Sequence, residues 1–177
     1  MPKIIDNAEK MILQSARKIL LDGSFRDFSM RNVANDCGIG VGTIYNYYPG
    51  KLVLIAKVMG EDWENAKEKM QEAAENAGSV PEGLTGIYNA IKAFTTLYYP
   101  IWNQYAEGNE TSEMLQKYHP MLQEQINGKI NRLLERFGYE EDQKITPILS
   151  EAVISASTKS QISVEQVRML GERLFDK

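Results

Sequence analysis

The sequence predicts an all-α protein: a small N-terminal head of three helices, residues 1–50, and a larger helical body, residues 51–177. Three observations predict it. Apolar residues recur at three- and four-residue spacings along most of the chain. No stretch shows strand-like alternation of useful length. Helix stop signals (Asp22-Gly23, Gly38, Pro49-Gly50, Gly78, Pro81, Gly138) divide the apolar stripes into segments of helical length.

The first stripe is Ile5, Ala8, Ile12, Ala16, Ile19 and Leu20, one face of a helix that ends at Asp22-Gly23. Phe25 and Phe28 in the next loop are large enough to fasten it to a small core. Ser29 has the chemistry of an N-cap, because its hydroxyl accepts from an unpaired N–H of the first turn. Met30, Val33, Ala34 and Cys37 follow at helical spacing, and Gly38 stands where a left-handed residue closes a short helix. A tight turn, Gly38-Ile39-Gly40, leads into a second short helix, Val41 to Tyr48, which Pro49-Gly50 breaks. A third run opens at Lys51, with Leu52, Ile55, Ala56, Met59, Trp63 and Met70 on one face, and reaches Asn76.

The glycines of CGIGVGTIYNYYPGK (residues 37–51) invite comparison with a phosphate-cradling loop. Such a loop follows a buried strand, whereas these glycines follow an amphipathic helix. Their spacing is G-x-G-x-G, and no G-K-[ST] follows. Helix, tight glycine turn and short helix form the helix-turn-helix arrangement, whose second helix lies in the DNA major groove.

Composition limits the alternatives. Of the 177 residues, 43% are hydrophobic and 25% charged, the balance of an ordinary globular chain. No apolar run approaches the ~18 residues of a membrane span, and MPKIIDNAEK has no signal-peptide core. The expected location is the cytoplasm. One cysteine and one histidine make neither a disulfide nor a metal cluster, and no cofactor is expected. No H-E-x-x-H, G-x-S-x-G or P-loop is present, and Glu140-Glu141-Asp142 reads as a solvated turn, so an enzyme is not expected. The net charge of −4 hides an asymmetry. Residues 1–60 carry eight Lys/Arg against five Asp/Glu, a net +3, and the remainder carries twelve against nineteen, a net −7. Phosphate binding is therefore expected only at the head.

The stretch from Ile12 to Met59 resembles the N-terminal DNA-binding domain of the TetR family of bacterial transcriptional repressors. The ILQSARKIL helix, the Gly23 to Phe28 link, SMRNVANDCGIGVGTIYNYYPGK and the apolar start of the next helix carry the likeness. It implies a helix-turn-helix DNA-binding domain joined to a helical ligand-binding and dimerisation domain. A homodimer would bind a palindromic operator on double-stranded DNA as a repressor, released by a small apolar or aromatic inducer. The contacts expected with DNA are Ser29, Arg31, Thr43, Tyr45, Asn46, Tyr47 and Lys51. Thr43 suits a phosphate or thymine methyl, and Asn46 suits adenine N6 and N7. Lys51 and the adjoining helix N-terminus suit one phosphate. Ile44 and Tyr48 are assigned to the core. The likeness departs at Gly40 and Val41, where the family often has a serine and a polar or basic residue. The reading helix thus carries no formal charge, and Lys10, Arg17 and Lys18 of the first helix are expected to supply part of it.

The body predicts helices over Glu82 to Tyr105, kinked at Pro100; about Glu113 to Phe137, broken at His119-Pro120; Asp142 to Thr158; and Ser163 to Phe175. Ser163 and Gln166 form a capping-box pattern. Trp63, Phe94, Tyr98, Trp102, Met114, Tyr118 and Met121 either line a ligand pocket or are plain core. On the last two helices, Leu149, Ala152, Val153, Ala156, Val167, Leu170, Gly171 and Leu174 either form a two-fold interface or close the monomer core. Two further readings are a helical adaptor whose head binds protein, and a DNA-binding regulator with no small-molecule ligand.

Overall fold

A computed structural model of the chain describes residues 7–23, 28–106, 111–158 and 162–175, and the side chains of these except 102–119. Phe25 lies outside this set, as do the side chains of Trp102, Met114 and Tyr118. The described elements are helices: α1 (Ala8–Asp22), α2 (Met30–Cys37), α3 (Val41–Tyr47), α4 (Lys51–Asn76), α5 (Val80–Ala106), α6 (Thr111–Arg136), a 3-10 segment (Glu140–Ile145), α7 (Thr146–Thr158) and α8 (Val164–Phe175).

The chain divides into two compact units. The head unit takes the described residues up to Trp63 and the end of α5 from Pro100. The body unit takes Glu64 to Tyr99 and everything from α6 onward. The first three turns of α4 therefore belong with the head.

The head core is built from Ile12, Ala16 and Leu20 of α1, joined by Val33 of α2, Ile44 of α3 and Leu54 of α4, all at most 1% exposed. Burying each of the Ile, Leu and Val side chains contributes about 1.5–3 kcal/mol. Phe28 closes this core from the loop. The α4 stripe differs from the expected one. Leu54, Ile55 and Val58 are buried, whereas Leu52 is 51% exposed and Ala56 is also outside. The segment LVLIAKVM is apolar at every position but Lys57, so periodicity alone does not select its inward face.

In the body, α4, α5 and α6 supply Met70, Leu84, Ile87, Ile126, Ile130 and Leu133, all at most 1% exposed. Helices α4 and α5 approach closely at Gly86, where a Cβ would sit 2.6 Å from the Cβ of Ala73. Two boundaries differ from expectation. Helix α6 runs unbroken through Pro120, because losing one backbone bond, a cost of about 3 kcal/mol, is outweighed by the other turns of a 26-residue helix. Helix α7 begins at Thr146 rather than Asp142. Pro147 suits a first turn, where its missing N–H would have no intrahelical partner. Helix α8 starts with a reciprocal capping box: Gln166 N–H donates to Ser163 Oγ at 3.2 Å, and Ser163 N–H donates to Gln166 Oε1 at 2.8 Å.

Candidate nucleic-acid interface

Local chemistry sets the geometry of α2, the turn and α3. Ser29 caps α2, its Oγ accepting from the Asn32 N–H at 3.1 Å. Gly38 ends the helix with φ 65° and ψ 29°. Its N–H donates to Asn35 O at 3.1 Å, and the Ile39 N–H donates to Ala34 O at 3.0 Å. These two bonds are the Schellman pattern, and they fix the angle at which the chain leaves α2.

Helix α3 is then held by its inner face. Ile44 is fully buried and Tyr48, just past the helix, is 5% exposed. The Tyr48 hydroxyl donates to Glu9 Oε1 of α1 at 3.1 Å. Burial, then this hydrogen bond and the charges of Glu9 and Glu61, push the Tyr48 pKa well above that of an ordinary tyrosine.

With Ile44 inward, the opposite face of α3 is open. Tyr45 is 51% and Tyr47 44% exposed, and Asn46 is exposed between them. Thr43 is half-buried. Arg31 is exposed on the first turn of α2. Lys51 is half-buried at the start of α4, its Nζ 5.7 Å from the centre of the Phe28 ring. An ammonium over an aromatic face is held in place by the ring quadrupole. All seven residues expected at DNA thus belong to the head, on α2, on α3 and at the start of α4.

The cations of α1 do not all serve as expected. Arg17 Nε donates to Asp62 Oδ1 and Nη2 to Glu61 Oε2, each at 2.9 Å, so its charge is matched by α4. Lys18 Nζ lies 3.0 Å from Asp36 Oδ1. Lys10 is exposed. Sequence periodicity carries no signal for the Arg17 contacts, which join residues 44 and 45 positions apart. Cys37 donates to Met11 O at 3.6 Å, and burial raises its pKa, the behaviour of a small packing residue.

A family model described as "Bacterial regulatory proteins, tetR family" matches residues 12–58. The head is thus similar to the DNA-binding part of the tetR family. The match spans the helix-turn-helix and the start of α4. The chain is 35% identical over 72 residues to the HTH-type transcriptional repressor KstR of Mycolicibacterium smegmatis, covering 41% of this chain and 35% of that protein. It thus spans about a third of the length of that curated relative. Over 173 residues it is 25% identical to the HTH-type transcriptional regulator YuxN of Bacillus subtilis, covering 92% of this chain and 56% of that one. A transcriptional regulator from Cytophaga hutchinsonii shares the fold, with a TM-score of 0.70 at 12% identity, covering 97% of this chain and all of that one.

The body's expected sites fare differently. Five of the eight interface candidates, Leu149, Val153, Ala156, Val167 and Gly171, are buried within the protomer. Gly171 shows why: a Cβ there would lie 3.1 Å from Pro81 Cα and 3.2 Å from Leu84 Cδ1, so its smallness serves packing on α5. Ala152 and Leu170 are half-buried, and Leu174 is 41% exposed. Ile148 and Met169, 66% and 53% exposed on the same two helices, were not among the candidates.

Of the pocket candidates, Phe94 and Tyr98 pack with ring centres 5.0 Å apart, and Tyr98 is fully buried. Met121 is 45% exposed, and Trp63 falls in the head unit. A groove of about 410 Å³ on the body is lined by Glu64, Lys67, Glu68, Gln71, Glu72 and Lys129, not by aromatics.

Proposed function

We propose that this chain is a sequence-specific DNA-binding transcriptional regulator of the bacterial cytoplasm, a repressor that binds a palindromic operator as a homodimer. The observation that carries the reading is the exposed face of α3. Ile44 and Tyr48 lock the helix inward, and Tyr45, Asn46 and Tyr47 are left facing solvent with no structural duty there. Asn46 and the tyrosines meet base edges and backbone. Arg31 and Lys51, at the starts of α2 and α4, hold phosphates on either side.

One head reads only a few base pairs, and a two-fold dimer reads two half-sites about 34–36 Å apart, or a multiple of that. The faces of α7 and α8 that stay open offer the second copy its surface. Ile148, Ala152 and Ser155 follow one another at four- and three-residue spacing, and Leu170 and Leu174 lie four residues apart on α8. Selection of bound duplexes from a random pool tests the reading. Enrichment of a palindrome supports it, and a folded protein that enriches nothing leaves the protein-binding adaptor in its place.

Release by a small ligand is the finer part of the proposal, and it rests on the family resemblance of the head rather than on the packed aromatic pair Phe94–Tyr98. The second reading is a regulator that answers to no small molecule; the α4–α6 groove, lined by charged and amide side chains, does not suit an apolar or aromatic ligand. Titrating the operator complex with apolar and aromatic compounds separates the two: release by any of them supports the first, and an unchanged complex supports the second.

A further inference from the structure

We propose that the base pairs facing α3 are A·T pairs, read through thymine methyls and adenine edges. The inference rests on the proposed function and names the DNA that this head prefers.

The side chains α3 exposes are Val41 (40%), Tyr45 (51%), Asn46 and Tyr47 (44%), with Gly42 contributing only backbone. None carries a charge. Guanine is read most often by an arginine or lysine bidentate to O6 and N7, and cytosine N4 by a carboxylate. Helix α3 has neither group. What it has suits the other pair: an amide matches adenine N7 and N6, and apolar groups match the thymine C5 methyl.

Desolvation points the same way. Pressed against a G·C pair, Val41 and the Tyr45 ring strip water from O6, N7 and N4 and give nothing back, leaving those groups unpaired. Against an A·T pair the same side chains bury a methyl. The cations expected at DNA belong to other elements and sit at helix starts, Arg31 on α2 and Lys51 on α4, with Lys51 held over Phe28. They are placed for the backbone, which carries no sequence information directly.

The test uses the full-length protein and the best duplex from random-pool selection. At each A·T pair under α3, thymine is replaced by uracil, which deletes the C5 methyl and keeps the pairing. Affinity should fall about fourfold for each methyl that is read. The same replacement outside the α3 footprint should leave affinity unchanged. In Val41→Ala, a conservative change at a half-exposed position, at least one uracil replacement should lose its effect. Val41→Arg should move the selected base at that position toward guanine. Selected half-sites with G·C pairs under α3, or uracil replacements that leave affinity unchanged there, overturn the inference while the proposed function stands. A folded protein that selects no duplex is a different result and overturns both.

Discussion

The Arg17 guanidinium of α1 donates to the Asp62 carboxylate of α4 at 2.9 Å, 45 residues along the chain, and to its neighbour Glu61 at the same distance. The contact ties the third turn of α4 to the head. It also places Asp62 at the edge of the head unit, which reaches Trp63.

Arg17→Met keeps much of the aliphatic stem and removes both bonds. Partly buried hydrogen bonds between charged groups contribute about 1.5–3 kcal/mol, with the lower end expected for a site still open to water. Urea denaturation should show a loss of about 1–2 kcal/mol. The salt dependence of DNA binding should not change, because Asp62 and Glu61 already match this charge. A fall in the salt slope would show that Arg17 reaches phosphate instead.

Gly38→Ala tests the turn. The position has φ 65°, and an added Cβ meets nothing within 4 Å, so the cost is backbone strain alone. A left-handed alanine costs about 1–2 kcal/mol, which should appear as a lower unfolding midpoint. Gly40→Ser is the contrast: φ is −68°, and a Cβ meets only Thr43 Oγ1 at 3.9 Å. A serine there supplies the N-cap acceptor that α3 lacks and should stabilise by a few tenths of a kcal/mol.

Tyr48 predicts an alkaline limit. Its pKa is raised in the folded head by burial and by Glu9, whereas an unfolded tyrosine ionises near pH 10. Below that value both states hold the proton, and this contribution to stability is fully present. Above it the unfolded chain releases a proton that the native head keeps, so stability falls as pH rises, by about 1.4 kcal/mol per unit for one group. Comparing Tyr48→Phe with the parent between pH 9 and 11 isolates this component. Parallel curves would show that Tyr48 is not its source.

Gly86→Ala tests the body seam. The new Cβ would lie 2.6 Å from the Ala73 Cβ, which has no rotamer to escape into, so α4 and α5 must separate. Overpacking of this kind costs about 1–3 kcal/mol, readable by thermal denaturation.

Ile148→Asp tests the proposed dimer. The residue is 66% exposed in the protomer, so the substitution should leave the fold intact. Light scattering should show dissociation to monomers, with weakened binding to a two-half-site duplex. A dimer that survives would place the interface on another face.

Much of the fold was legible from local chemistry. Ser29 and Gly38 bracket α2 as a cap and a left-handed stop, and Pro49-Gly50 separates α3 from a helix that runs from Lys51 to Asn76. On a helix as short as α3 only one face can be buried, so Ile44 and Tyr48 going inward left Tyr45 and Tyr47 outside. The less legible features depend on contacts between distant residues or on competing local choices. The inward face of α4 was ambiguous because LVLIAKVM is apolar at every position but Lys57. The pairing of Arg17 with Glu61 and Asp62 has no local signature, and neither does the position of Lys51 over Phe28. The approach of Gly171 to Pro81 and Leu84 of α5 likewise has no local signature, because a small side chain permits close approach to any neighbour.

The most direct test of the central claim is the salt dependence of binding to the selected duplex, measured for the parent, Lys51→Ala and Tyr47→Ala. The account predicts affinity that falls steeply and log-linearly with salt, a slope reduced by about one in Lys51→Ala, and weaker binding in Tyr47→Ala at every salt concentration. Binding that ignores salt, or that both variants retain in full, would contradict a head that holds DNA through α3 and the start of α4.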